Sequence, residues 1–155
     1  MSTAWMTIER FENWQVDAKN DFAFFGLSGR YSRRAAEIAK GDLVFTYVSS
    51  AISAFADVRE VKEAGLKTMR RQTYYSSFAF YFSTNPVLVL PELKWLPIKE
   101  VASELDFTRG RKDYRSLLYT SIRKLTEHDG NFLLQRMQQN MPAVESGEKS
   151  GRKVQ

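Results

Sequence analysis

A chain of 155 residues is one domain's worth of sequence and is long enough to bury a core. Hydrophobic residues make up 43% and charged residues 26%, the balance of a soluble globular protein, and no apolar run approaches the roughly 18 residues a membrane helix needs. The absence of cysteine excludes a disulfide framework, a thiolate metal site and a cysteine nucleophile; the net charge of +5 favours a polyanionic partner without naming one.

Met1 to Thr7 carries no long apolar stretch of the kind a signal peptide has, so the chain reads as cytoplasmic. A first strand is expected around Trp5–Phe11, with Glu12-Asn13-Trp14 in a brief helix or turn. Phe22–Ser28 is aromatic and turns at Gly26 and Gly29. Tyr31–Lys40 reads as a helix with Ala35, Ile38 and Ala39 on one side and arginines on the other. Ser32 is its expected cap, and Gly41 stands where a helix end wants positive φ.

Gly41–Val48 alternates, Leu43, Phe45 and Tyr47 against Val44, Thr46 and Val48, and predicts a strand. Ile52–Val61 predicts the next. Tyr74–Ser83, with Phe78, Phe80 and Phe82 on one face, predicts another, and Val87–Leu90 follows after Asn85-Pro86. Leu96–Leu105 is expected to be a short helix with Pro97 in its first turn. Arg109–Arg115 is a basic loop. A last helix over Glu127–Gln139 buries Leu133, Leu134 and Met137, with Thr126 as N-cap and Asp129 three residues on, as in a weak capping box. Short sequential strands with short loops favour a mostly antiparallel sheet curling into a barrel, an α+β architecture.

Catalytic chemistry is hard to find. The only histidine, His128, opens a surface helix, where a solvated or capping role is the plain reading. One His without Cys makes a zinc site improbable. No G-x-S-x-G elbow, P-loop or G-x-G-x-x-G is present, and Gly26-Leu27-Ser28-Gly29 has the wrong spacing for either phosphate loop. The expectation is a non-enzyme with no metal or cofactor.

The order of motifs resembles the EVE family, which shares its fold with PUA and YTH domains. The matching elements are Trp5, then Glu12-Asn13-Trp14, then Phe25-Gly26-Leu27 where the family has Trp-Gly-Val or a variant. The block Ala39-Lys40-Gly41-Asp42-Leu43-Val44-Phe45-Thr46-Tyr47-Val48 is the most specific. Ser121-Ile122-Arg123-Lys124-Leu125-Thr126-Glu127 matches the family's entry to its last helix. The resemblance implies a PUA-like pseudo-barrel of mixed, mostly antiparallel strands with flanking short helices over 1–140, followed by a tail, 141–155, whose polar composition predicts disorder. It also implies recognition of a modified or flipped-out base, such as 5-methylcytosine or 5-hydroxymethylcytosine in DNA or a modified base in RNA. Two departures stand out: Phe25 replaces the family's tryptophan, and Ser77–Phe82 lacks its arginine.

A flipped base needs aromatic faces in place of its lost stacking, about 1–3 kcal/mol per base, and polar groups for its edge. The candidate pocket is Asn13, Trp14, Phe25, Gly26, Leu27, Tyr47, Val48 and Ser49. The plain alternative for each aromatic is a place in the core. Candidate phosphate contacts are Arg30, Arg33, Arg109, Arg111, Lys112 and Arg115, whose plain alternative is a solvated face. The expected partner is nucleic acid, DNA or RNA, and no membrane, with a restriction or modification enzyme as a possible associate. Rival readings are a pocket for a free nucleotide-like ligand and a homodimeric scaffold.

Overall fold

A computed structural model describes residues 2–50, 52–68, 80–118 and 122–143. Strand β1 (Ala4–Glu9) leads into helix α1 (Phe11–Lys19), strand β2 (Phe24–Leu27) and the single-turn helix α2 (Ser32–Ala35). Strands β3 (Leu43–Val48), β4 (Ala54–Val61), β5 (Lys67–Thr68) and β6 (Phe80–Val89) follow. Then come β7 (Leu96–Pro97), α3 (Ile98–Val101), β8 (Ile122–Lys124) and α4 (Glu127–Asn140).

The sheet runs β2–β6–β4–β3–β1–β8, with β5 added on β6 and β7 on β4. β1 and β3 are parallel and every other pair is antiparallel. A parallel pair needs a long crossover, and α1, β2 and α2 fill it. The expected α+β pseudo-barrel of mixed, mostly antiparallel strands with short flanking helices is the observed fold. Among the described residues no helix is long and apolar enough to cross a membrane.

Alternation sends the two faces of the sheet to two clusters. One is large and holds Met6, Phe45, Tyr47, Phe55, Val58, Leu96, Leu133 and Met137 under α3 and α4. The other is smaller: Trp5, Phe25, Leu27, Val44, Val61, Phe82 and Ile122. α4 lies so close to β1 that a Cβ on Gly130 would stand 2.6 Å from the Cβ of Ala4.

Several boundaries differ from expectation for identifiable reasons. The helix over Tyr31–Lys40 shrinks to α2 behind a 3₁₀ turn at Gly29–Tyr31, which Ser28 caps by accepting from Arg30 N at 3.5 Å. Ser32 is the first residue of α2, and Tyr31 stands in the capping position. The Asp42 carboxylate competes for the later backbone, accepting from Ala39 N at 2.9 Å. Asp42 also accepts from Thr3 N (2.9 Å) and the Trp5 indole (3.0 Å). Gly41 beside it takes φ 91°, the positive value expected of it, and donates to Val61 O at 2.9 Å. The Gly-Asp motif therefore ties the β3 entry to β1 and β4.

Gly26 lies within β2 and is no turn. Val87–Val89 belongs to the same strand as Phe80–Ser83, because the ladder steps from Val58↔Leu88 to Arg59↔Pro86 and leaves Val87 unpaired. A bulge is where a strand tolerates a proline, which has no N–H to give. The expected strand's first part, 74–79, lies outside the described residues. The helix expected over Leu96–Leu105 begins only at Ile98, because Leu96 and Pro97 pair with Phe55 and Ala54 and Ile98 N donates to Ser53 O at 3.0 Å.

Candidate nucleic-acid interface

The barrel interior facing α1 is charged. Arg59 on β4 is fully buried and bonds three carboxylates: Asp17 at 2.7 Å, Asp57 at 2.9 Å and Glu9 at 3.3 Å. It also donates to Phe24 O at 3.0 Å and lies 5.2 Å from the Phe22 ring. Asp57 accepts from the Trp14 indole at 2.8 Å and the Thr46 hydroxyl at 2.7 Å. One cation against three buried acids leaves an excess of negative charge. Burial pushes the Glu9 carboxyl well above its usual range, Asp17 adds to the rise, and Arg59 only partly opposes it. Glu9 Oε1 is the atom that meets Arg59, while its Oε2 is buried with no hydrogen-bond partner among the described residues.

This cluster decides where the expected pocket residues stand. Asn13 is 2% and Trp14 7% exposed. The Trp14 ring stacks on Phe11 (6.1 Å, 15°) and forms a T-shaped pair with Trp95 at 4.8 Å, so it is packed within the core. Phe25 is fully buried in the other cluster, stacked on Phe82 at 5.4 Å, and Gly26 and Leu27 continue β2 beside it. Val48 is buried in the large cluster. The aromatic planes of Trp14 and Phe25 thus belong to separate clusters.

Tyr47 and Ser49 do meet a predicted basic residue. A cleft of about 550 Å³ is lined by Glu9, Arg10, Tyr47, Ser49, Ser50, Ser53 and Arg115, with Ile8 and Leu118 as its apolar wall. A neighbouring cleft of about 390 Å³ shares Tyr47, Ser53 and Arg115 and extends to Lys99 and Tyr114. Ser49 N donates to Glu9 O at 2.9 Å, holding the β3 end against the β1 end. Ser50 and Ser53 adopt φ of 70° and 47°, uncommon for side-chain-bearing residues, and the Ser53 hydroxyl donates to Ser50 O. Burial raises the Tyr47 hydroxyl above its ordinary value.

The other basic residues that the sequence put forward are surface groups. Arg30 lies 5.6 Å from the Tyr31 ring, Arg33 is exposed on α2, and Arg109 pairs with Asp106 at 3.2 Å. Arg111 and Lys112 are exposed on the loop that the sequence marked as basic. Sequence reasoning missed Arg123, on β8. Its guanidinium lies 5.4 Å from the Phe107 ring and donates to Leu117 O at 3.3 Å, while its Nε is buried with no acceptor. Burial lowers its pKa, and the charges of Arg34 and Arg111 lower it further. The clue available in sequence was only the Arg123-Lys124 pair.

His128 stands half-exposed with Nδ1 3.0 Å from Asp129 Oδ1 and 3.4 Å from Asp106 Oδ2. Thr126 caps α4 by accepting from Asp129 N at 3.1 Å, as expected. The Asp129 carboxylate does not close a capping box; it accepts from the backbone N–H of Asp106 (2.7 Å) and Phe107 (3.4 Å). Ligand atoms of these three side chains lie within 4.8 Å of one another, but those of Asp129 are already occupied in anchoring the 106–107 turn to α4.

No family model matches the chain, and no curated protein matches it. Solved structures do. Protein Atu2648 from Agrobacterium tumefaciens superposes with a TM-score of 0.61 at 14% identity, covering 90% of this chain and 93% of its own. The YTH domain of the Zygosaccharomyces rouxii MRB1 protein, solved in complex with N6-methyladenosine RNA, gives 0.60 at 10% identity over 88% of this chain and 90% of that one. The Mmi1 YTH domain in complex with RNA gives 0.57 at 12% identity over 88% and 79%. At these identities the likeness is one of architecture, and it covers nearly the whole chain: the protein adopts the fold of the YTH domains.

Proposed function

We propose that the protein is a non-catalytic nucleic-acid-binding module that recognises a modified or flipped-out base, and that the cleft at Tyr47, Ser49 and Arg115 is where the base is seated. The observation that carries this reading is the fold likeness, over 88% of this chain, to YTH domains solved with RNA, one of them with N6-methyladenosine RNA. The cleft falls in the range of about 300–1,000 Å³ common for small-ligand sites. It is lined by Tyr47, itself 2% exposed, with three serines and two arginines, polar groups of the kind that read the edge of an extruded base. A non-catalytic role is supported by the ion pairing of the buried Glu9 carboxyl, which meets the Arg59 guanidinium at 3.3 Å. Nothing in the fold or the comparisons speaks for a restriction or modification enzyme as partner.

The test is a binding titration with oligonucleotides, as DNA and as RNA, carrying cytosine, 5-methylcytosine, 5-hydroxymethylcytosine or N6-methyladenine, at two salt concentrations. The expected outcome is that one modification binds at least tenfold tighter and that affinity falls with salt. Equal affinity for all would sink the modified-base reading, and a preference without salt dependence would favour a free nucleotide-like ligand. Ser49→Ala and Arg115→Gln are expected to weaken the preferred oligonucleotide. Trp14→Ala is a poor probe, because it removes the indole that bonds Asp57.

A further inference from the structure

We infer that the second cleft, beside Lys99 and Tyr114, seats the nucleotide next to the recognised base, so that the protein holds two consecutive nucleotides of one strand with Arg115 at the phosphate that joins them. This rests on the first cleft being the base site, and it goes further by naming a polynucleotide strand, not a free nucleotide, as the ligand.

The two clefts are contiguous. Tyr47, Ser53, Arg115 and Leu118 line both of them, which puts an exposed arginine at their junction above two buried side chains, Tyr47 and Leu118. Their other walls differ in character. Ile8 and Tyr47 are register partners on β1 and β3 and share one face, and Arg10 follows with extended backbone (φ −77°, ψ 154°), so alternation returns it to that face. With Ser49 and Ser50 it makes the first cleft polar. The Glu9 carboxyl turns away to Arg59 at 3.3 Å.

The second cleft, of about 390 Å³, is walled by Ile52, Pro97, Ile98 and Tyr114, an apolar enclosure of the size that holds a small ligand. Ile52 is 39% exposed there, on the turn between Ser50 and Ser53, whose φ values are 70° and 47°. Strained backbone that holds an apolar side chain in the open is a feature of ligand-holding loops. The charges form a series: Arg10 lines the first cleft, Arg115 the junction and Lys99 the second cleft. Among the described residues Arg115 and Lys99 make no ion pair, Arg10 makes an exposed one with Glu12 at 3.5 Å, and no carboxylate lines the second cleft. Cations spaced along a groove that also offers apolar and aromatic walls match a single strand, in which phosphates alternate with base faces.

The experiment titrates the folded protein with the 5′-monophosphates of cytidine, 5-methylcytidine, 5-hydroxymethylcytidine and N6-methyladenosine, as ribo- and deoxyribonucleotides. The same bases are then presented in dinucleotides that add a uridine or thymidine on either side. In wild type the added nucleotide is expected to raise affinity about tenfold on one of the two sides, the worth of one stacked base. Lys99→Gln and Ile52→Ser alter exposed side chains, and each is expected to bring the ratio of dinucleotide to monophosphate affinity down towards one. A wild-type ratio near one, or a ratio that neither variant lowers, overturns the second seat, and so does a failure of both lengths to bind. If no modification is preferred at either length while both variants lower the ratio, the modified-base reading fails and the two-nucleotide groove stands. If polyglutamate displaces a labelled dinucleotide as readily as the unlabelled dinucleotide does, the groove takes acidic chains in general and the nucleotide assignment is overturned.

Discussion

The two halves of the barrel interior are equally buried and built on opposite principles. At one end Trp5, Phe25, Val44 and Phe82 meet as hydrocarbon, and at the other Arg59 gathers Glu9, Asp17 and Asp57 under Trp14. Both ends use the same strands: β1 contributes Trp5 to the first and Glu9 to the second, and β4 contributes Val61 and Arg59. In the apolar end a substitution forfeits packing in proportion to volume. In the charged end, removing one partner leaves the others buried and unpaired, so the loss is set by electrostatics.

The largest expected effect is at the hub of the charged end. Arg59→Met leaves the three acids without their cation, and unfolding in guanidinium chloride should show a loss of about 3–5 kcal/mol. Retention of wild-type stability would mean that the carboxylates are neutralised without the arginine. At the apolar end Phe82→Ala should cost about 3–4 kcal/mol from cavity formation, with no change in its pH dependence. Phe25→Trp inserts volume into a site already filled against Phe82 and should cost about 1–3 kcal/mol.

The pH dependence sharpens the contrast further. Glu9 has a folded pKa raised above the unfolded value, so the folded state binds the extra proton. Stability is then highest at or below pH of about 4.5 as far as this group is concerned. It falls as pH rises through the window up to the folded pKa, by at most about 1.4 kcal/mol per pH unit. Unfolding curves between pH 5 and 8 should show that decline in wild type and a flatter profile in Glu9→Gln. Identical slopes in both proteins would remove Glu9 as the titrating group. The smallest effect is expected outside the comparison, at the helix that covers the opposite face: Gly130→Ala forces α4 off Ala4 and should cost about 1–2 kcal/mol.

The parts of this molecule that were legible in sequence are those governed by local rules. The β3 alternation, the Thr126 cap and the positive φ of Gly41 all depend on neighbours within a few residues, and each stands where its pattern put it. What failed was decided at a distance. α2 ends early because Asp42 takes the backbone of Ala39 while also bonding Trp5, 37 residues away. Pro86 stays within β6 because β4 provides a bulge for it.

The proposed site follows the same division. The types of residue that the proposed base and phosphate contacts call for could be read from aromatic and basic composition and from the order of motifs. Their arrangement could not, because a period of two only says that alternate side chains share a face. Trp14 turned inward because Asp57, on a strand 43 residues later, offered its indole an acceptor in the interior. Tyr47 and Ser49 reached a cleft because the 3₁₀ turn carrying Arg115 crosses the ends of β1 and β3. By itself, then, the sequence determined an α+β chain of mostly antiparallel strands with aromatic, polar and basic residues in its inventory. The tertiary structure decided which aromatics became core and which carboxylates gathered around Arg59, because burial and charge pairing are settled between segments that only the folded chain brings together.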